Sequence, residues 1–255
     1  MYAEERQQAI ASLVISKGRA SVADLAHAYD VTTETVRRDL AALDRAGILR
    51  RVHGGAVPAR ALHVVEPGVM ERETTRAGYK DAIARAALEF LPIGGGSVLL
   101  DAGTTTGRVA AQLPPDRELV VVTNSVPIAA RLAGMPSISL QLLGGRVRGV
   151  TQAAVGESAL RILDTLRVDV AFIGTNAISV AHGLSTPDSE EAAVKRAMVR
   201  CANYVVVVAD SSKVGREDLM SFAAIERVDV LVTDYEIAPG DRAALTDAGV
   251  EVVIA

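Results

Sequence analysis

Seven short apolar runs set the terms for any fold of this chain: Ser97 to Leu100, Glu118 to Val122, Ile138 to Leu143, Val168 to Ile173, Tyr204 to Ala209, Val228 to Val232 and Val250 to Ile254. Most are unbroken Val, Leu and Ile rather than alternating with polar residues, the pattern of strands covered on both faces. Helical patterns separate them, and strands alternating with helices fold as a mostly parallel sheet with right-handed crossovers. Composition points to the same core. Of 255 residues, 49% are hydrophobic but only 3% aromatic, with no Trp, so Val, Ala, Leu and Ile must fill it. That length accommodates one α/β domain of this kind and a small second domain.

Several classes drop out. The single Cys201 rules out an internal disulfide framework, suits a reducing compartment and reads as a small buried hydrophobe rather than a metal ligand. Residues 1 to 9 are polar and charged, so no secretory signal is expected. No apolar run approaches the roughly 18 residues of a membrane span, and the expectation is a cytoplasmic protein with no membrane partner. The net charge of -4 does not advertise a nucleic-acid binder, but it is unevenly spread. Residues 1 to 60 hold nine Lys/Arg against seven Asp/Glu, and the remainder eighteen against twenty-four. The asymmetry points toward a polyanionic partner at the amino end without establishing one.

Thr32 to Arg45 is the pivotal stretch of those sixty residues. As a helix it places Val36, Leu40 and Leu43 on one apolar stripe, with Glu34, Arg38, Ala41 and Arg45 opposite and Arg37 on a flank. A shorter helix, Ser21 to Tyr29, precedes it, opened by a Ser21/Asp24 capping box, and Asp30-Val31 allows only a tight turn between them. Two helices so joined read as helix-turn-helix, whose second helix fits the DNA major groove. A helix from Glu4 to Lys17, stopped by Gly18, comes first. After Gly47, Ile48 to Val52 reads as a strand, His53-Gly54-Gly55 as a turn and Ala56 to Pro58 as the return, which completes a winged helix. Arg50, Arg51 and His53 would then lie along the phosphate backbone, with Gly-Gly allowing close main-chain approach. Arginines on the outer face of a helix or strand edge are common, so neither element decides the matter alone.

Together they do more. Thr-Val-Arg-Arg-Asp-Leu at 35 to 40, followed by Leu-Arg-Arg-Val-His-Gly-Gly-Ala at 49 to 56, resembles the DNA-binding signature of the DeoR family of bacterial sugar-metabolism regulators. The resemblance implies operator DNA as partner and makes Thr33, Glu34, Thr35, Arg37 and Arg38 candidates at the groove, where Arg can contact guanine bidentately.

Beyond Val57 the apolar pattern weakens. Residues 58 to 75 carry Pro58, Pro67 and the charged run Glu71-Arg72-Glu73 and read as a linker between a domain at 1 to 57 and one at 76 to 255. Within the larger domain, small and polar residues cluster just after the strands: Asp101 to Thr106, Thr123 to Ser125, Gly144 to Arg148, Gly174 to Asn176 and Asp210 to Lys213. The carboxyl ends of strands in an open α/β sheet form the ligand crevice, so these segments are expected to converge. Gly103-Thr104-Thr105 opens a helix whose free N–H groups suit phosphate, with Arg146, Arg148 and Lys213 as countercharge. Single segments of this kind also serve as ordinary turns and caps. No Walker A or Gly-x-Gly-x-x-Gly pattern is present, which argues against nucleotide hydrolysis. Asp188 or Ser189 is a natural cap for the helix that follows, and Lys195 and Arg196 read as solvent-facing.

Asp-Ala-Gly-Thr-Thr from 101, Thr-Asn-Ser from 123, Gly-Gly-Arg from 144 and the helix and strand-end residues through Lys213 also resemble the sensor domain of DeoR-type regulators, whose fold is similar to ribose-5-phosphate isomerase. Residues 144 to 149 and 184 to 188 look most like fructose-operon repressors. The resemblance implies a phosphorylated sugar, a fructose phosphate at the finest level, held by Asp101, Gly103, Thr104, Thr105, Asn124, Ser125, Gly145, Arg146, Arg148, Asn176, Asp188 and Lys213. It implies a homo-oligomer, dimer or tetramer, with no cofactor, metal or catalytic residue. The alternative is a sugar-phosphate isomerase with an accessory DNA-binding domain. Against it, Asn176 and Ala177 stand where that family carries an acidic pair, and neither can shuttle a proton near neutral pH.

Overall fold

The computed structural model describes residues 3–17, 20–46, 48–52, 54–58 and 68–255, which fall into two compact units, residues 1–66 and 67–255. Gly18 and Gly47, expected as helix stops, lie outside the described residues.

In the first unit, α1 (Ala3–Lys17), α2 (Val22–Tyr29) and α3 (Thr33–Arg45) pack with a small antiparallel sheet of β1 (Ala20–Ser21), β2 (Leu49–Val52) and β3 (Gly55–Pro58), ordered β1-β3-β2. The expected stripe is the core: Val36, Leu40 and Leu43 of α3 are buried with Ile10, Val14, Leu25 and Leu49. Both helix starts are capped, α2 by the expected Ser21 and α3 by Thr32, which the sequence reading places within the helix. The Ser21 hydroxyl accepts the Asp24 N–H at 3.0 Å, and Thr32 accepts the Thr35 N–H at 3.2 Å. Asp30 takes a left-handed φ of 49°, which turns α2 into α3 within three residues. Gly55 has a structural task of its own, because a Cβ there would overlap the carbonyl oxygen of Ala20 across β1 and β3.

The second unit begins with a difference. Part of the expected linker is helical: α4 (Val69–Thr74) precedes α5 (Ala77–Ala87). β4 (Gly96–Leu100), α6 (Thr104–Ala111), β5 (Leu119–Thr123), α7 (Val126–Leu132) and β6 (Ile138–Leu142) follow, then a hairpin of β7 (Arg146–Arg148) and β8 (Ala153–Val155). The chain continues through α8 (Glu157–Thr165), β9 (Val168–Ile173), the hairpin β10 (Ala177–Ser179) and β11 (Gly183–Thr186), and α9 (Ser189–Cys201). It ends with β12 (Ala202–Val208), β13 (Met220–Ala223), β14 (Val230–Thr233), α10 (Pro239–Asp247) and β15 (Glu251–Ile254).

All seven expected strands join one parallel sheet, ordered β15-β14-β12-β9-β4-β5-β6. Alternate residues of each strand feed opposite cores. Leu99, Ala171, Val207 and Leu231 pack with α8, α9 and α10 on one face, while Val98, Phe172, Val206 and Val230 pack with α5, α6 and α7 on the other. That double coverage explains why the runs are unbroken. The architecture is thus a winged helix-turn-helix and a mostly parallel α/β domain. The order also reverses direction between β4 and β9, the point where an open sheet leaves a crevice at its carboxyl edge.

Candidate functional site

On α3 the side chains split by face. Opposite the buried stripe, Thr33, Glu34, Arg37 and Arg38 are exposed and Thr35 is half-buried, its hydroxyl 2.9 Å from that of Thr32. Arg37 and Arg38 are 56% and 81% exposed, and Glu34 lies 3.7 Å from the first and 3.6 Å from the second. Ion pairs so open to water are weak and yield readily to another anion. Asp39, the next residue, points the other way. It is buried and receives two hydrogen bonds from Arg6 of α1, at 2.6 and 3.3 Å, and one from Gln7 at 3.0 Å. The Arg-Arg-Asp triplet therefore mixes two outward cations with an inward anchor that fixes the rotation of α3. Arg50 and Arg51 lie on β2, but their side chains, and all of His53, lie outside the described residues.

In the second unit a cavity of about 220 Å³ opens at the carboxyl ends of β4, β9 and β12, at the switch point. Five of the expected effector residues line it: Gly103, Thr104, Thr105, Asn176 and Lys213. Gly103 caps α6 without any side-chain hydrogen bond, so the first N–H groups of that helix remain available at the cavity wall.

The other seven do not line it. Asp101 lies beneath the floor, fully buried, accepting the Gly174 N–H at 3.0 Å and paired with the Lys195 ammonium. Burial pushes its carboxyl above the usual range, and the Lys195 charge opposes that. Asn124 is a brace: its side-chain oxygen accepts the Ala102 N–H at 3.0 Å, and its amide donates to the Ala154 carbonyl at 3.2 Å. Ser125 caps α7. Gly145 is required by packing, since a Cβ would overlap the Val155 carbonyl oxygen across the β7–β8 hairpin. Arg146 is exposed and paired with Glu190, while Arg148 reaches Asp188 at 3.1 Å and Glu191 at 2.8 Å. Asp188 caps α9, accepting the N–H groups of Glu190 and Glu191. For five of the seven, Asn124, Ser125, Gly145, Arg146 and Arg148, the reason is strand order. The cavity is centred on β4, β9 and β12, whereas residues 123 to 148 follow β5 and β6 toward the sheet edge.

Cations absent from that expectation take their place. Lys195 is 5% exposed rather than solvent-facing, and its ammonium also donates to the Gly174 carbonyl at 2.9 Å. Its spacing from Glu191 and Met198, both buried on the same stripe of α9, is the signal that reveals it. Lys80 of α5, also 5% exposed, donates to the Arg72 carbonyl. Burial pushes its pKa down to about 8, with Arg108 and Lys213 adding to the shift and Asp210 opposing it. Burial likewise lowers Lys213, against the pull of Asp210. Among the described residues, no carboxylate pairs directly with either lysine. Arg72 comes from α4, and its Nε and Nη2 are buried without any hydrogen-bond partner. Three acids line the site: Glu71 of α4, Glu191, held by Thr151 and Arg148, and Asp210, 3.2 Å from Arg76.

Residues 75–235 match the DeoR C terminal sensor domain, and residues 6–60 match the DeoR-like helix-turn-helix domain. The chain belongs to the DeoR family. Among curated DeoR-type relatives, the HTH-type transcriptional regulator GlpR of Haloferax volcanii is 38% identical, over 99% of this chain and 98% of the relative. The putative aga operon transcriptional repressor of Escherichia coli O157:H7 is 33% identical, over 98% and 93%. A solved structure, ribose 5-phosphate isomerase A from Neisseria gonorrhoeae, matches at 17% identity with a TM-score of 0.39, over 55% of each chain. No helix among the described residues is long and apolar enough to cross a membrane.

Proposed function

We propose that this DeoR-family chain represses a sugar-utilisation operon and that a phosphorylated sugar, bound in the cavity, releases it from operator DNA. The observation that carries the reading is the convergence of Lys80, Lys213 and the two unpartnered guanidinium nitrogens of Arg72 beside the start of α6, whose cap supplies no side-chain hydrogen bond. Buried cations without counter-ions are costly, and a phosphate, close to dianionic at neutral pH, offsets that cost in a way a neutral sugar does not. Thr151, Asn176 and Glu191 offer a hydroxyl, an amide and a carboxylate to the sugar hydroxyls. At the other unit, Thr33, Thr35, Arg37 and Arg38 enter the major groove while Arg50, Arg51 and His53 follow the phosphate backbone. A dimer or tetramer places several such heads on repeated half-sites, and the effector favours an arrangement whose spacing no longer fits.

Fructose 1-phosphate and fructose 6-phosphate are the first ligands to try. The chain, bound to labelled promoter DNA and followed by fluorescence anisotropy, is titrated with each, with unphosphorylated fructose as control. Release by a phosphorylated sugar is expected, with a rise in apparent stability of about 2.7 kcal/mol at a hundredfold excess over Kd. If no phosphorylated sugar alters either signal, or if the purified chain converts one rapidly, the reading is wrong.

A further inference from the structure

We propose that α4 is an effector-dependent strap: an anion in the cavity docks it through Arg72, and without the anion it lifts away. The proposal rests on the anion-binding reading above. Among the described residues, α4 is the one α-helix of the second unit that buries no residue. Polar ties hold it in place. The Val69 N–H donates to the Val150 carbonyl at 2.9 Å, Arg108 donates to the Glu73 carbonyl at 3.0 Å and pairs with its carboxylate at 2.6 Å, and Lys80 donates to the Arg72 carbonyl. Ties of this kind near water contribute little each, and a segment without buried apolar contacts opens at low free energy.

The point just after α4 is firm by contrast. Arg76, in a left-handed conformation with φ 54°, reaches Asp210 at 3.2 Å, Asp234 at 3.0 Å and Glu236 at 2.9 Å, and its guanidinium lies 4.2 Å from the Tyr79 ring centre. A loosely held helix thus ends on a fixed pivot. When α4 is docked, Nε and Nη2 of Arg72 are buried without a partner, an arrangement that opposes docking. An anion shared among Arg72, Lys80 and Lys213 supplies that partner, so it binds the docked form in preference and shifts the equilibrium toward it. Among the described residues, α4 is the first element of its unit in the sequence.

Hydrogen–deuterium exchange of the full chain tests this, with inorganic phosphate and fructose 1-phosphate as probes and thermal shift as the measure of binding. Exchange across 69–74 should slow by about tenfold or more when a probe binds. In Arg72→Gln the slowing should vanish, although the weakened thermal shift persists through Lys80, Lys213 and α6, and Arg72→Lys should restore part of it. A thermal shift with unchanged exchange at 69–74, or equal slowing in Arg72→Gln, overturns the strap and leaves the anion site standing. No thermal shift with either probe overturns both.

Discussion

Arg37 and Arg38 stand in water on α3, with one shared carboxylate loosely beside them, whereas Lys80, Lys195 and Lys213 are drawn into the second unit where solvent is scarce. The two settings suit different anions. Exposed cations on a rigid helix bind a polyanion through many shallow contacts and the release of its counterions, so their interaction falls steeply with salt. Cations in a concave pocket meet a small anion at short range, where screening is weaker and a single misplaced charge is expensive. On the proposed function, the same residue types serve a long surface in one unit and a small molecule in the other, and what differs is solvent access.

Removing one cation from each setting should separate them. The largest effect is expected for Lys195→Met, which leaves Asp101 buried without its partner: urea unfolding of the second unit should show a loss of about 3 kcal/mol. Stability within a few tenths of the parent would show that this pair is not integral to the sheet. Next comes Arg38→Ala, for which anisotropy with operator DNA should report roughly ten- to a hundredfold weaker binding, while the phosphate-induced thermal shift stays at the parent value. An equal loss of both responses would collapse the distinction between the two cationic sets.

A smaller effect comes from pH. Lys80 has a pKa lowered from 10.5 to about 8 by burial, so the unfolded chain holds that proton more tightly between the two values. The stability of the ligand-free protein should therefore gain a contribution as pH rises from 8 to 10.5, whereas phosphate affinity should fall as the ammonium is lost above about 8. At the acid end a sugar phosphate itself takes up a proton near pH 6, so its affinity measured by calorimetry should peak between about these limits. Lys80→Met should flatten the alkaline limb, and an unchanged limb would remove Lys80 from the site.

The same contrast decides what could be read from the sequence. α3 is a local object: the period of Val36, Leu40 and Leu43 fixes the buried face, and the outward residues follow by exclusion. The strands were equally plain, because burial on both faces leaves unbroken apolar runs. Which strand ends meet was not, since the pairing of β9 with β4, and not of β6 with its successor, is a property of the whole sheet. Asn124, Gly145 and Arg146 were thus assigned to a cavity they do not line. α4 escaped for another reason. Its charged run lacks the apolar stripe by which an amphipathic helix is recognised, and none of its residues is buried as a whole.

Asp39 carries one more consequence. Since the grip of Arg6 and Gln7 on its carboxylate sets the angle at which α3 is presented, the exposed positions 33, 34, 37 and 38 can be exchanged as a set without disturbing the scaffold that aims them. If the proposed function holds, the head is readdressable: a new set of residues on the same mounting should send the protein to a different promoter and leave the proposed effector response untouched.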